Sequence, residues 1–93
     1  MGEGILTKEV RVLNELGMHA RPAGRLAQEA QKFSSSVFLV HNGQKVDAKS
    51  ILDILTLALS KGSSIRIEAQ GPDADTAVER LERLFNDRFG EDR

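Results

Sequence analysis

His19, Arg21 and Pro22 stand within four positions of one another in the octet Leu16-Gly17-Met18-His19-Ala20-Arg21-Pro22-Ala23. Their types and spacing suit one kind of chemistry. A neutral imidazole offers a nucleophilic ring nitrogen near neutral pH, because an unperturbed histidine titrates at about 6.5. Arginine supplies a planar, permanently charged fork that matches phosphoryl oxygens. Proline favours the first helical position, where its missing N–H is not needed and its φ is already near helical, so Pro22 predicts a helix start. The amides of that first turn and the positive end of the helix macrodipole then face His19. This is a setting for a phosphate group, and an exposed anion there gains on the order of 0.3–1 kcal/mol. A histidine that merely decorates a helix start is the competing reading, and the spacing alone leaves both open.

Other residues able to do chemistry are fewer. Lys49-Ser50-Ile51-Leu52-Asp53 places Ser-x-x-Asp before an apolar run, a capping-box variant in which the Ser50 hydroxyl caps a helix. After it, Ile51, Leu52, Ile54, Leu55, Leu57, Ala58 and Leu59 cover more than the ~100° stripe that one buried face requires. The run is either a deeply packed helix or one with an exposed patch for partners; Ile54, Leu57 and Ala58 are expected to face inward. His41 falls in a turn and reads as solvated. Two histidines 22 positions apart, with no cysteine, make no case for a metal site. No glycine-rich nucleotide loop is present, so neither ATP nor any other cofactor is expected.

The elements that must position these residues follow from periodicity. Ile5 to Asn14 reads as a strand, with Val10 and Val12 apolar between charged neighbours. From Pro22 to about Phe33, Ala23, Leu26, Ala27, Ala30 and Phe33 recur at helical spacing; Gly24 inside this helix costs roughly 1 kcal/mol relative to alanine. Val37 to Val40 is a strand, His41-Asn42-Gly43-Gln44 is a hairpin signal suited to a type I′ turn, and Lys45-Val46-Asp47 is the return strand. A second helix is expected from near Ser50 to Ser60-Lys61-Gly62, with Gly62 as its left-handed terminator. Ile65, Ile67 and Ala69 alternate with polar residues as a half-buried strand. After Gly71-Pro72-Asp73 comes a last helix, with Ala77, Val78, Leu81, Leu84 and Phe85 on one face, fraying after Phe89-Gly90. Its Glu79, Arg80, Glu82 and Arg83 read as a solvated face with ordinary charge pairing. The order β-α-β-β-α-β-α predicts an α+β layer pair, one sheet covered on one face by helices.

Composition bounds the rest. Ninety-three residues make one domain, spanning 1–93 with its core at about 5–89. A net charge of −1, with four Phe and no Trp or Tyr, supplies neither a basic footprint nor stacking surfaces, so no nucleic-acid partner is expected. Met1-Gly2-Glu3-Gly4 lacks the basic and apolar regions of a secretion signal, and Leu6 stands where a myristoylation motif needs Ser or Thr. The most apolar segment, Ile51 to Leu59, is nine residues long, far short of a membrane span. The expectation is a cytoplasmic monomer with no membrane partner.

The octet closely resembles the active-site signature of the HPr family, the histidine phosphocarriers of the bacterial phosphotransferase system. The element order matches too, so the resemblance runs from about Ile5 to Phe89. It implies an open-faced β-sandwich, a four-stranded antiparallel sheet covered on one face by three helices. It also implies that His19 accepts a phosphoryl group on Nδ1 from phosphorylated enzyme I and passes it to a IIA-type acceptor. Arg21 would steady the phosphoryl oxygens and Pro22 fix the helix start, in a stoichiometric carrier rather than an enzyme with its own substrate. By the same resemblance, Ser50 aligns with the serine that an HPr kinase/phosphorylase modifies in many members, although Asp53 stands where regulated members commonly carry glycine. Residues matching Ile51, Leu52 and Leu55 help dock enzyme I and other partners. Met18 and the tail Leu84-Phe85-Asn86-Asp87-Arg88-Phe89 look more like the nitrogen-related branch (NPr), whereas Lys49-Ser50-Ile51 looks like the sugar branch, which leaves the branch open. The alternative is a regulatory binding module of the same fold, acting through Ser50 and the Ile51/Leu52/Leu55 patch. Relatives of that kind tend to lose the active histidine, and here His19 and Arg21 are intact.

Overall fold

Ile65, Ile67 and Ala69 are all buried and alternate with Ser64, Arg66 and Glu68, a period of two that makes their strand the spine of the sheet. The computed structural model describes residues 4–92. The readings of residues 1–3 as no leader and no lipid site, and the outer bounds of a domain 1–93, lie outside the described residues. The elements are β1 (Leu6–Arg11), α1 (Ala20–Ala30), β2 (Ser36–His41), β3 (Gln44–Asp47), α2 (Ile51–Thr56), β4 (Ser64–Gln70) and α3 (Ala74–Asn86), followed by a 3₁₀ turn at Arg88–Gly90. The sheet runs β1-β4-β2-β3, antiparallel throughout. Ile67 of β4 stands opposite Lys8 of β1 and Leu39 of β2.

One face of the sheet is apolar and lies under the helices. Val37, Leu39, Val46, Ile65 and Ile67 meet Leu26, Ala27, Ile54, Leu81 and Phe85 in one core, and burying each large side chain contributes about 1.5–3 kcal/mol. The other face is polar. Lys45 lies 4.7 Å over the Phe38 ring and pairs with Glu68 at 3.1 Å. The Lys45 hydrogen bond, with help from Arg66, holds the Glu68 carboxyl below its usual range. This is the open-faced arrangement expected from the order of elements. Asn42 and Gly43 both have positive φ, 50° and 81°, as a type I′ hairpin requires.

Several boundaries differ from the periodicity. β1 ends at Arg11 rather than Asn14, although Val12 beyond it is fully buried. α1 ends at Ala30, and Phe33 follows in a turn, its N–H donating to the Ala30 carbonyl. α2 stops at Thr56, short of Gly62. The reason is that Leu57 and Leu59 are both buried, and two residues two apart share a side only in extended chain. Ala58 between them takes φ 51° and is exposed, which corrects its inward assignment. Ala58, not Gly62, is the left-handed residue that ends the helix.

The charges of α3 lie on its exposed face, and two of them pair with neighbouring elements. Glu82 reaches Lys8 on β1 at 3.5 Å, and Arg80 reaches Glu29 on α1 at 3.2 Å. At the helix start, the Asp73 carboxylate accepts from the Ser34 and Ser35 amides and the Ser35 hydroxyl. Those bonds, the Ser35 hydroxyl's foremost, hold its carboxyl below the usual range.

Two glycines of the site region make a contrast that can be measured. Gly17 has φ 72°, and a Cβ there would lie 2.7 Å from the Leu59 carbonyl oxygen and 3.0 Å from Ser60 Cα. A Cβ on Gly24 would meet nothing within 4 Å, so close packing is not what that glycine permits. Gly17→Ala is expected to lose about 1–2 kcal/mol from the left-handed backbone alone, before the contact with Leu59 is counted. Gly24→Ala should gain about 0.5–1 kcal/mol of helix stability. Urea unfolding of the two variants checks the pair; changes of the same sign would contradict the geometry.

Candidate functional site

His19 is the N-cap of α1, with extended backbone (φ −89°, ψ −171°), and its side chain caps nothing in its own helix. The helix begins at Ala20, so Pro22 is its third residue rather than its first. The first intrahelical bond is Ala23 N–H to the His19 carbonyl at 3.0 Å, so Pro22 still sits where no N–H is needed, and its ring is buried in the core. The first turn therefore offers the amides of Ala20 and Arg21.

The loop before the helix is held from two sides. Gly17 N–H donates to the Asn14 carbonyl at 3.1 Å, and Met18 N–H donates to the Leu59 carbonyl at 3.0 Å. Asn14 Nδ2 donates to the Gly17 carbonyl at 2.7 Å, and the Met18 side chain is buried. These anchors present a His19 imidazole that is 39% exposed, with Nε2 2.9 Å from Glu91 Oε2. No group among the described residues bonds Nδ1. A half-exposed imidazole with one nitrogen engaged and the other open can accept an electrophile at the open one.

Arg21 is exposed and lines an open cleft of about 390 Å³ with Glu15, Leu16, Gly90, Glu91 and Asp92. No ion pair among the described residues ties Arg21 down. The cleft thus joins the octet to the chain's last residues. Periodicity missed Glu91, Asn14 and Leu16. Glu91 stands 72 positions from His19, in a tail expected to fray, and nothing local marked it. Instead Phe89 is buried at 1% exposure and packs edge-on to Phe85, ring centroids 4.9 Å apart. Asn14 carried a faint signal, a polar residue closing an apolar strand. Leu16 is 77% exposed beside the site.

Of the candidate residues, Arg21 alone lines this cleft; His19, Pro22, Ser50, Ile51, Leu52 and Leu55 do not. The Ser50 hydroxyl accepts from Asp53 N–H at 3.2 Å, the expected cap. Ile51 and Leu52 are 42% and 76% exposed, while Leu55 packs partly buried on the core and Ile54 is inside it. Leu59, just past α2, accepts from Met18, so the exit of α2 adjoins the octet. His41 is half-buried, and its Nδ1, 3.0 Å from the Ser64 carbonyl, links β2 to β4 at an exposed edge. Among the described residues no helix is long and apolar enough to cross a membrane.

Comparison with known proteins bears on the chain as a whole. The family model for the PTS HPr component phosphorylation site matches residues 6–87. The phosphocarrier protein HPr of Treponema pallidum is 41% identical over 88 residues, covering 95% of this chain and all of that protein. The HPr of Xylella fastidiosa is 43% identical over 88 residues, covering 95% of this chain and 99% of that protein. The crystal structure of HPr-C-His from Thermoanaerobacter tengcongensis superimposes with a TM-score of 0.91 at 36% identity, covering 95% of this chain and 99% of that one.

Proposed function

The chain belongs to the HPr family of the phosphotransferase system, and on that premise we propose that it carries a phosphoryl group on Nδ1 of His19. The group is taken from phosphorylated enzyme I and given to a IIA-type acceptor. The observation that carries this reading is the half-exposed His19 ring at a helix N-cap, with Nε2 engaged and Nδ1 open. A nitrogen nucleophile holds the group in a labile P–N bond, one difficult transfer becoming two easier ones. Arg21, two residues on from His19, lines an open cleft with Glu15, Leu16 and Asp92. Arg21, exposed and in no ion pair among the described residues, draws the phosphoryl oxygens in. The chain then acts stoichiometrically, with no small substrate of its own.

Incubation with phosphoenolpyruvate and purified enzyme I, read by intact mass, tests the reading. A single acid-labile phosphate adduct is expected. No adduct with either sugar-branch or nitrogen-branch enzyme I would overturn it, and the enzyme I that works names the branch.

Ile51, Leu52 and Leu55 serve as the docking patch beside the octet. Leu52 is 76% exposed, so Leu52→Glu should change stability by no more than about 0.5 kcal/mol while raising the KM of enzyme I for this chain severalfold. Unfolding of that variant would instead make Leu52 a core residue. Ser50 is the site for control by an HPr kinase/phosphorylase. A phosphate there would join the first turn of α2, where the amides favour it and the Asp53 carboxylate opposes it.

A further inference from the structure

Glu91 reaches His19 from the far end of the chain by a defined route. Phe89 is buried against Phe85, and Gly90 turns the chain at φ 78°. The Arg25 guanidinium packs over Gly90, 2.7 Å from where a Cβ would stand, and Glu91 N–H donates to the Arg88 carbonyl at 2.9 Å. The Glu91 side chain is left only 15% exposed. Its two oxygens are both used: Oε2 lies 2.9 Å from His19 Nε2, and Oε1 accepts from Asn14 Nδ2 at 3.1 Å. Asn14 is fully buried and aims its amide protons at the Gly17 carbonyl and at Glu91. Its own Oδ1 has no partner among the described residues. A flipped amide would set that oxygen against two acceptors, so the donor orientation toward Glu91 is the one the surroundings require. A buried acceptor left without a partner is a cost that calls for a reason, and holding the carboxylate on His19 is one.

We propose that Glu91 is the positioning residue for phosphoryl acceptance. Its carboxylate, oriented by Asn14, accepts the Nε2–H of His19 and so assigns the one ring proton of the neutral imidazole to Nε2. The Nδ1 lone pair is thereby the nucleophile. This rests on the carrier reading and adds what selects the nitrogen. In the transfer, the Nδ1 lone pair forms the new N–P bond as the donor's bond to phosphorus breaks, its electron pair returning to the donor. The Nε2 proton stays in place, and the positive charge that develops on the ring faces the Glu91 carboxylate. An ionised carboxylate cannot donate, so it holds one tautomer and meets that charge, as the carboxylate does in a Ser-His-Asp triad.

The first readout needs no partner protein. Phosphoramidate, a small donor that phosphorylates imidazole directly, is added to the full-length chain and to Glu91→Ala and Glu91→Gln. ³¹P spectra distinguish Nδ1-phosphohistidine from Nε2-phosphohistidine, and ¹⁵N spectra of the unphosphorylated ring give its tautomer. The wild type should hold the Nε2–H tautomer and be phosphorylated on Nδ1. Both variants should lose that tautomer preference and form Nε2 product. Their acceptance from enzyme I should slow by about tenfold to a hundredfold, less than the about 10⁴-fold seen in an enclosed triad because this site is open. An Nδ1–H ring in the wild type overturns the proposal whether or not the variants fold. So does an unchanged product in the variants, or acceptance that speeds up without Glu91, which would make the contact a brake. A wild type phosphorylated on Nδ1 by phosphoramidate but never by enzyme I would sink the carrier reading while leaving the role of Glu91 standing.

Discussion

His19→Ala is expected to abolish the phosphate adduct formed with enzyme I and phosphoenolpyruvate while leaving the fold in place. The imidazole is 39% exposed, caps nothing in its helix, and among the described residues gives up one hydrogen bond, to Glu91. A partly exposed pair of this kind contributes about 0–1 kcal/mol, so urea unfolding should shift by no more than that. The backbone role of position 19, its carbonyl accepting Ala23 N–H, passes to alanine unchanged. Stability and function therefore separate cleanly at this residue. His41 supplies the internal control, since its Nδ1 is spent on the Ser64 carbonyl in the sheet and His41→Ala should keep the adduct. A residual acid-labile phosphate on His19→Ala that disappeared only in the double variant would move the acceptor to His41 and overturn the assignment.

Phe89→Ala should bring the largest loss of stability among the tail residues. The ring is 1% exposed and stands edge-on to Phe85, the rings inclined by 69°. Truncating a buried Phe typically costs about 3–5 kcal/mol, and an aromatic pair contributes about 0.5–1.5 kcal/mol of such a loss beyond area burial. In a domain of this size that lowers the unfolding temperature by more than about 10 °C. The loss has a functional echo. Phe89 is the anchor that brings Glu91 to His19, so the folded variant at low temperature should show the same drift toward Nε2 phosphorylation as Glu91→Ala. A melting temperature within about 3 °C of the wild type would mean that the tail is not part of the core. Loss of stability with unchanged regiochemistry would mean that Glu91 finds His19 without it.

Much of this protein was legible in the order of its residues. The alternation of Ile65, Ile67 and Ala69, the helical spacing of Leu26, Ala27 and Ala30, and the Asn42-Gly43 turn each express a preference set by immediate neighbours. The sheet and its helical cover followed from them. The His19-Ala20-Arg21-Pro22 run is equally local, and so the place of the candidate site could be read before any fold was known. The Ser50 cap was legible for the same reason, its hydroxyl and the Asp53 amide lying one turn apart.

Only the folded chain decided the rest. Pro22 is the third helical residue rather than the first, a position that costs no backbone bond either way, and its ring is fully buried. α2 stopped at Thr56 because Leu57 and Leu59 both had to reach the interior, a demand of packing that overrode the helical appearance of the run. Above all, the partner of His19, Glu91, and the Asn14 that holds it came from tertiary structure. Glu91 and Asn14 are 77 positions apart and meet only after Phe89 seats on Phe85 at the end of α3. Local rules see a few residues on either side, whereas a contact across most of the chain exists only once the core has formed, and that contact is what orients the imidazole.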